Sequence, residues 1–130
     1  MEKRRSIDVP GARHVNPIPS ASRRGPFVVT GAISGADPES GQVPADLDAQ
    51  CRQMFANVRR VMDMGGGTPE DIIKMTIWIT DRGLRPILNK HWVEMFPDAH
   101  SRPARHTLTS TDLNPPMQIQ CDLLAVLDEG

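Results

Sequence analysis

The chain has 130 residues, 24% of them charged, with a net charge of −1. One domain, spanning residues 1–130, is the expectation at this length, and the charge balance gives no support for a nucleic-acid or anionic-membrane partner. Two cysteines make no disulfide framework and fit a reducing, cytoplasmic setting, while the absence of tyrosine excludes phenol chemistry. The basic start at Lys3, Arg4 and Arg5 has no apolar run behind it, so no signal peptide is expected. No apolar stretch approaches the length that spans a bilayer.

The first dozen residues are mixed and charged and read as an N-terminal extension, with a short edge strand at 7–9 before Pro10. Pro17 and Pro19 bracket Ile18 and favour extended backbone there. A strand over 20–24 turns at Gly25-Pro26 into Phe27-Val28-Val29-Thr30, whose composition is that of a strand. Gly31 and Gly35 follow, where backbone can come close to a ligand or a neighbouring chain. Residues 37–41 form a loop rich in turn residues.

The spacing predicts a helix over 46–64. Leu47, Cys51, Met54, Val58 and Val61 recur at steps of four and three and make one apolar stripe. Gln50, Gln53, Asn57 and Arg60 are placed mostly on the other side. Gly65-Gly66-Gly67 stops the helix; it lacks the lysine and hydroxyl residue of a phosphate loop. Thr68-Pro69-Glu70-Asp71 is a capped single turn. Residues 73–80 alternate, with Ile73, Met75, Ile77 and Ile79 on one face and Lys74, Thr76, Trp78 and Thr80 on the other. A second helix over 84–96 carries the stripe Leu84, Ile87, Leu88, Trp92, Met95 and Phe96, and Pro97 ends it.

A strand then begins in 102–109. Alternation puts Arg105, Thr107 and Thr109 on one face and His106 and Leu108 on the other. A guanidinium at a strand start offers a fixed fork of donors that matches a carboxylate. Arg105 is therefore the candidate to grip a small organic acid, with an ordinary structural ion pair as the alternative. The last strand, over 117–127, sets Gln118, Gln120 and Asp122 on one face and Ile119, Cys121 and Leu123 on the other. The element order predicts an α+β, two-layer domain: one mixed sheet covered on one face by two helices. Its second face, with Thr76, Trp78 and Gln120, is too polar for a monomer core and suits a symmetric oligomer with wet clefts between subunits.

His14, His91, His100 and His106 show no metal spacing, and the cysteines form no CxxC pair. Cys51 and Cys121 fall on apolar faces and read as inert core. Arg23-Arg24 and Arg59-Arg60 read as solvated charges.

Val28-Val29-Thr30-Gly31, Asp37-Pro38-Glu39-Ser40-Gly41, Gln50 with Asn57, Asp71 to Thr76, Asn89 and Pro103-Ala104-Arg105 follow one another in an order and spacing that resemble the RidA/YjgF family, also called the endoribonuclease L-PSP or reactive-intermediate-deaminase family. The resemblance covers about 18–127. It implies a chorismate-mutase-like fold, a homotrimer with three ligand sites between subunits, and hydrolysis of reactive enamines and imines such as 2-aminoacrylate to a keto acid and ammonia, with no metal or organic cofactor. Arg105 matches the family arginine that binds the substrate carboxylate, Gly31 the pocket-lining glycine, and Asn89 a helix asparagine near the site. Three positions depart. Ile18 stands near a usual tyrosine, Thr30 at a usual serine, and Gln120 where a glutamate positions the attacking water. An amide can orient a water but cannot take its proton.

The expected site is thus Arg105 and Gln120 as the catalytic pair, with Ile18, Thr30, Gly31, Asn89 and Thr107 as ligand contacts. Three function classes follow: an imine or enamine hydrolase, a non-catalytic trimer that binds a small carboxylate-bearing metabolite, and an RNA-acting or chaperone-like protein.

Overall fold

The structure is a computed structural model that describes residues 3–11 and 16–128. His14 lies outside the described residues. The chain runs β1 (Arg5–Ile7), β2 (Ala21–Arg24), β3 (Phe27–Thr30), β4 (Ile33–Ser34), α1 (Leu47–Gly65), β5 (Ile72–Ile79), α2 (Arg85–Met95), β6 (Ala104–Thr109) and β7 (Ile119–Val126). One sheet has the order β1-β2-β3-β7-β5-β6, and β4 pairs with β7 beyond the end of β3. Among the described residues only β5 and β6 run parallel, joined through α2. This is the expected single mixed sheet with two helices. The edge strand expected at 7–9 lies at Arg5–Ile7, where it pairs with β2 and Ile7 joins the core.

The caps of α1 are those its ends invite. Asp46 accepts from the Ala49 N–H at 3.0 Å, and Gly66 takes the left-handed conformation at φ 91° that only glycine adopts freely. Cys51, Met54, Val58 and Val61 are buried against Val28, Met75, Ile77, Ile119, Cys121 and Leu123 of the sheet. Arg23, expected as a solvated charge, instead donates from Nη1 to the Gly65 carbonyl at 2.7 Å and closes the helix C-terminus. Thr68 and Asp71 form a reciprocal capping box before β5.

Two further expectations are corrected. Gln50 is fully buried, not outward. Its Nε2 donates to the carbonyls of Pro44 and Pro116, both at 2.7 Å, and its Oε1 accepts from the Gln118 N–H at 2.9 Å. Three loops meet on one side chain, whose polar atoms are satisfied by backbone that would otherwise be orphaned. Ile73 is 51% exposed, because a bulge shifts the β5–β7 register between Ile72 and Lys74 and turns Ile73 out of the core. From Lys74 onward the alternation is as expected.

Candidate functional site

Arg105 reaches its place through local ties that start before β6. The Arg102 Nε donates to the Phe96 carbonyl at 2.8 Å, fastening the chain to the end of α2. Arg105 then sits beside Met75 in the parallel register, so its side chain points to the helix-covered face. There its Nη2 donates to Asn89 Oδ1 at 2.9 Å, and its guanidinium carbon stands 4.9 Å from the Trp92 ring centroid. Arg85, Asn89 and Trp92 follow one another at steps of four and three, so α2 presents all three along one stripe. Partial burial, and then the nearby Arg85 charge, lower the Arg105 pKa from its ordinary value, although a guanidinium this basic keeps its proton. No carboxylate pairs with Arg105 among the described residues. The structural ion pair weighed as the alternative is therefore not what holds it. Thr107 lies two residues on, on the same face of β6, and is half-buried.

The other expected residues gather elsewhere. The Thr30 hydroxyl donates to the Gly31 carbonyl at 2.8 Å and accepts from the Leu123 N–H at 3.0 Å. The Gly31 N–H donates to the Ser20 carbonyl at 3.0 Å. Gly31 is exposed, and a Cβ there would make only ordinary contact with the Pro19 and Ser20 carbonyl oxygens at 3.9 Å. Gly35 differs: a Cβ would collide with the Gln50 carbonyl, so its glycine serves backbone packing within the chain. Ile18 is 54% exposed. Gln120 is opposite Trp78 on one side and Ser34 on the other, and points to the face that no helix covers. Arg105 and Gln120 therefore belong to opposite faces of one sheet. Within one chain the seven residues form two groups: Arg105, Asn89 and Thr107 under α2, and Gln120 on the open face with Thr30 and Gly31 at the end of β3 beside β7, Thr30 sharing the covered side of β3 with Val28 and Ile18 preceding β2.

The family model described as endoribonuclease L-PSP matches residues 14–127. The chain belongs to this family, that of RidA and YjgF. Among its relatives, a RutC family protein of Aquifex aeolicus is 30% identical over 112 residues, covering 86% of this chain and 90% of the relative. The 2-iminobutanoate/2-iminopropanoate deaminase of Escherichia coli K12 is 28% identical over 103 residues, 78% of this chain and 80% of that protein. The crystal structure of E. coli TdcF with bound serine superposes with a TM-score of 0.87 at 25% identity, covering 95% of this chain and 99% of that one.

The L-PSP motif residues divide by role once placed. Gln50 and Asn57 hold the fold: Asn57 Nδ2 donates to the carbonyls of Ser34 and Ala36, both at 2.9 Å. A cavity of about 210 Å3 lined in part by Ser20, Ala32, Ser34, Asn57 and Arg60 touches none of the seven expected residues. Cys51 and Cys121 are buried; burial, with a smaller contribution from the Asp48 charge, pushes the Cys51 thiol up to about 12, and burial raises Cys121 as well. No cluster of three or more metal-ligating side chains occurs among the described residues. No helix among them is long and apolar enough to cross a membrane. Sequence reading missed Trp92 as the platform for Arg105, having assigned it to the core stripe. It also missed the Trp78 indole, whose Nε1 donates to Asp122 Oδ2 at 3.4 Å.

Proposed function

We propose that this chain binds a small carboxylate and hydrolyses an enamine or imine of a small 2-amino unsaturated acid to a keto acid and ammonia, in a reducing, cytoplasmic setting. The observation that carries the reading is the Arg105 guanidinium, held by an amide oxygen and an aromatic face but paired with no acid among the described residues. Such a fork is preorganised for a carboxylate that comes from outside the chain. The kinship with an E. coli imine deaminase supports the chemistry.

The two groups of site residues meet only if a second copy brings its open face to the Arg105 edge. A homotrimer with sites between subunits supplies that arrangement. Phe27, Val29 and Leu108 are exposed on the open face beside half-buried Trp78 and Leu124, which is apolar surface suited to cover. Catalysis then follows from placement: Arg105 fixes the carboxylate, Gln120 orients a water, and imines are reactive enough for orientation to count.

A non-catalytic metabolite-binding trimer is the second reading. Gln120 favours it, because an amide takes no proton, and a relative is described with bound serine. The test generates 2-aminoacrylate in situ with an amino-acid dehydratase and traps it with semicarbazide. Faster keto-acid release by the wild type, lost in Arg105→Ala, upholds the hydrolase. Saturable binding of small carboxylates without turnover of any imine replaces it with the binder. Salt-sensitive RNA binding indifferent to Arg105 overturns both.

A further inference from the structure

Of the side chains that β3, β5, β6 and β7 turn to the open face, Asp122 is the only acid. It stands two residues beyond Gln120 on the same face of β7, about 7 Å along the strand. The sheet is interrupted beside it. Val29 pairs with Leu124, and Ile33 pairs with Cys121, so residues 30–32 lie against only two residues of β7, 122 and 123. One extra residue there is a bulge, a device that re-aims side chains and opens pairing. Thr30 seals the gap by accepting from the Leu123 N–H, and Gly31 lies in the extra stretch. Exposed Gly31 is thus next to Asp122 by register. Trp78 orients the carboxylate through Oδ2, and Oδ1 has no partner among the described residues.

We propose that Asp122 is the proton-moving carboxylate of this site, doing what the amide of Gln120 cannot. The proposal rests on the imine-hydrolase reading. In the addition step the water oxygen bonds to the iminium carbon, the C=N π pair moves to nitrogen, and Asp122 takes a proton from the water. The protonated Asp122 returns that proton to the amine nitrogen of the carbinolamine. Asp122 then takes the hydroxyl proton as the C–N bond breaks and the carbonyl forms, and it hands that proton to the departing ammonia. Iminium and water become keto acid and ammonium, and the carboxylate is regenerated. Gln120 keeps the role its chemistry allows, holding the water by hydrogen bonds.

The test measures kcat, KM and the pH profile of imine hydrolysis, with melting temperature as a fold control. The variants are Asp122→Asn, Asp122→Glu, Gln120→Glu, Asp122→Asn with Gln120→Glu, Trp78→Phe, and Arg105→Ala as the control for the site. Asp122→Asn is expected to lose about 100-fold or more in kcat, to keep KM within a few fold, and to lose the acid limb of the profile. Gln120→Glu in the same chain restores part of the rate by returning a carboxylate to the face. Asp122→Glu keeps the limb. Trp78→Phe, which removes the donor that orients the carboxylate, is expected to lower kcat several-fold with KM kept, and this readout serves if Asp122→Asn does not fold; a Trp78→Phe enzyme with wild-type kcat then overturns the proposal. Wild-type kcat and an unchanged limb in Asp122→Asn, with Arg105→Ala inactive, overturn the Asp122 role and leave the hydrolase reading standing. A loss that neither moves the limb nor responds to Gln120→Glu marks a structural role and also overturns the proposal. If neither wild type nor Gln120→Glu turns over any imine, the hydrolase reading falls and the Asp122 role falls with it.

Discussion

Arg105 Nη2 donates to Asn89 Oδ1 at 2.9 Å, across from an edge strand to the helix that follows β5. The bond fixes one arm of the fork and leaves the others for a ligand. Arg105→Ala is expected to weaken binding of a small carboxylate by about 2–3 kcal/mol, roughly 30- to 150-fold, the scale of hydrogen bonds to a charged group. Arg105→Lys recovers only part, since an ammonium lacks the planar fork. Asn89→Ala costs about 1 kcal/mol, roughly fivefold. Isothermal titration of the three variants with one keto acid ranks them, and equal affinity for Arg105→Ala and wild type refutes the assignment.

Gln50 carries a stability prediction. Gln50→Leu keeps the volume near constant but strands the Pro44 and Pro116 carbonyls and the Gln118 N–H. The expected loss is about 3–5 kcal/mol, a fall in melting temperature on the order of 10–20 °C. Gly35→Ala attacks the same joint from the other side, because its Cβ meets the Gln50 carbonyl. Thermal unfolding followed by circular dichroism reads both.

The acid side of the stability profile depends on Asp48. Its Oδ1 receives Lys90 Nζ at 2.9 Å and His91 Nε2 at 2.8 Å, and Oδ2 receives Arg52 at 2.7 Å. The Lys90 hydrogen bond first and the His91 bond second hold its carboxyl below the ordinary 3.8, at about 2. A lowered folded-state pKa adds stability above the unfolded value, and that stability is lost as pH falls through the folded one. Asp48→Asn is therefore expected to differ from wild type above pH 3.8 and to converge with it as pH falls through about 2. Acid titration of the folded signal for both proteins gives the comparison.

Both thiols are buried, with Cys51 raised to about 12. Iodoacetamide at pH 8 is expected to leave the native protein unmodified and to label both cysteines once the chain is unfolded in urea. Labelling of native protein at the folded-state rate of a free thiol contradicts the burial.

Periodicity and caps made α1 legible to within a residue at each end. Gln50 was misplaced for an instructive reason: it stands three after Leu47 and four before Met54, which puts it on the buried stripe, but residue type was given more weight than position. The Ile73 bulge is invisible to alternation, because one inserted residue leaves the pattern regular on either side. Alternation did show that Gln120 and Asp122 share a face. It could not relate that face to the one holding Arg105, since the relation passes through two inter-strand registers, β6 to β5 and β5 to β7. For the same reason Trp78 and Asp122, 44 positions apart, gave no sequence signal of their contact.

The placement of Arg105 and Gln120 on opposite faces has a genetic consequence. Under the proposed assembly each site takes its arginine from one subunit and its open face from the next. A chain damaged at Arg105 can still lend a sound open face to its neighbour, and a chain damaged on that face can still lend its arginine. Two inactive alleles expressed together should therefore restore about one quarter of the sites when subunits mix at random in equal amounts. Neither allele alone restores any, and a site built within single chains would show no such rescue.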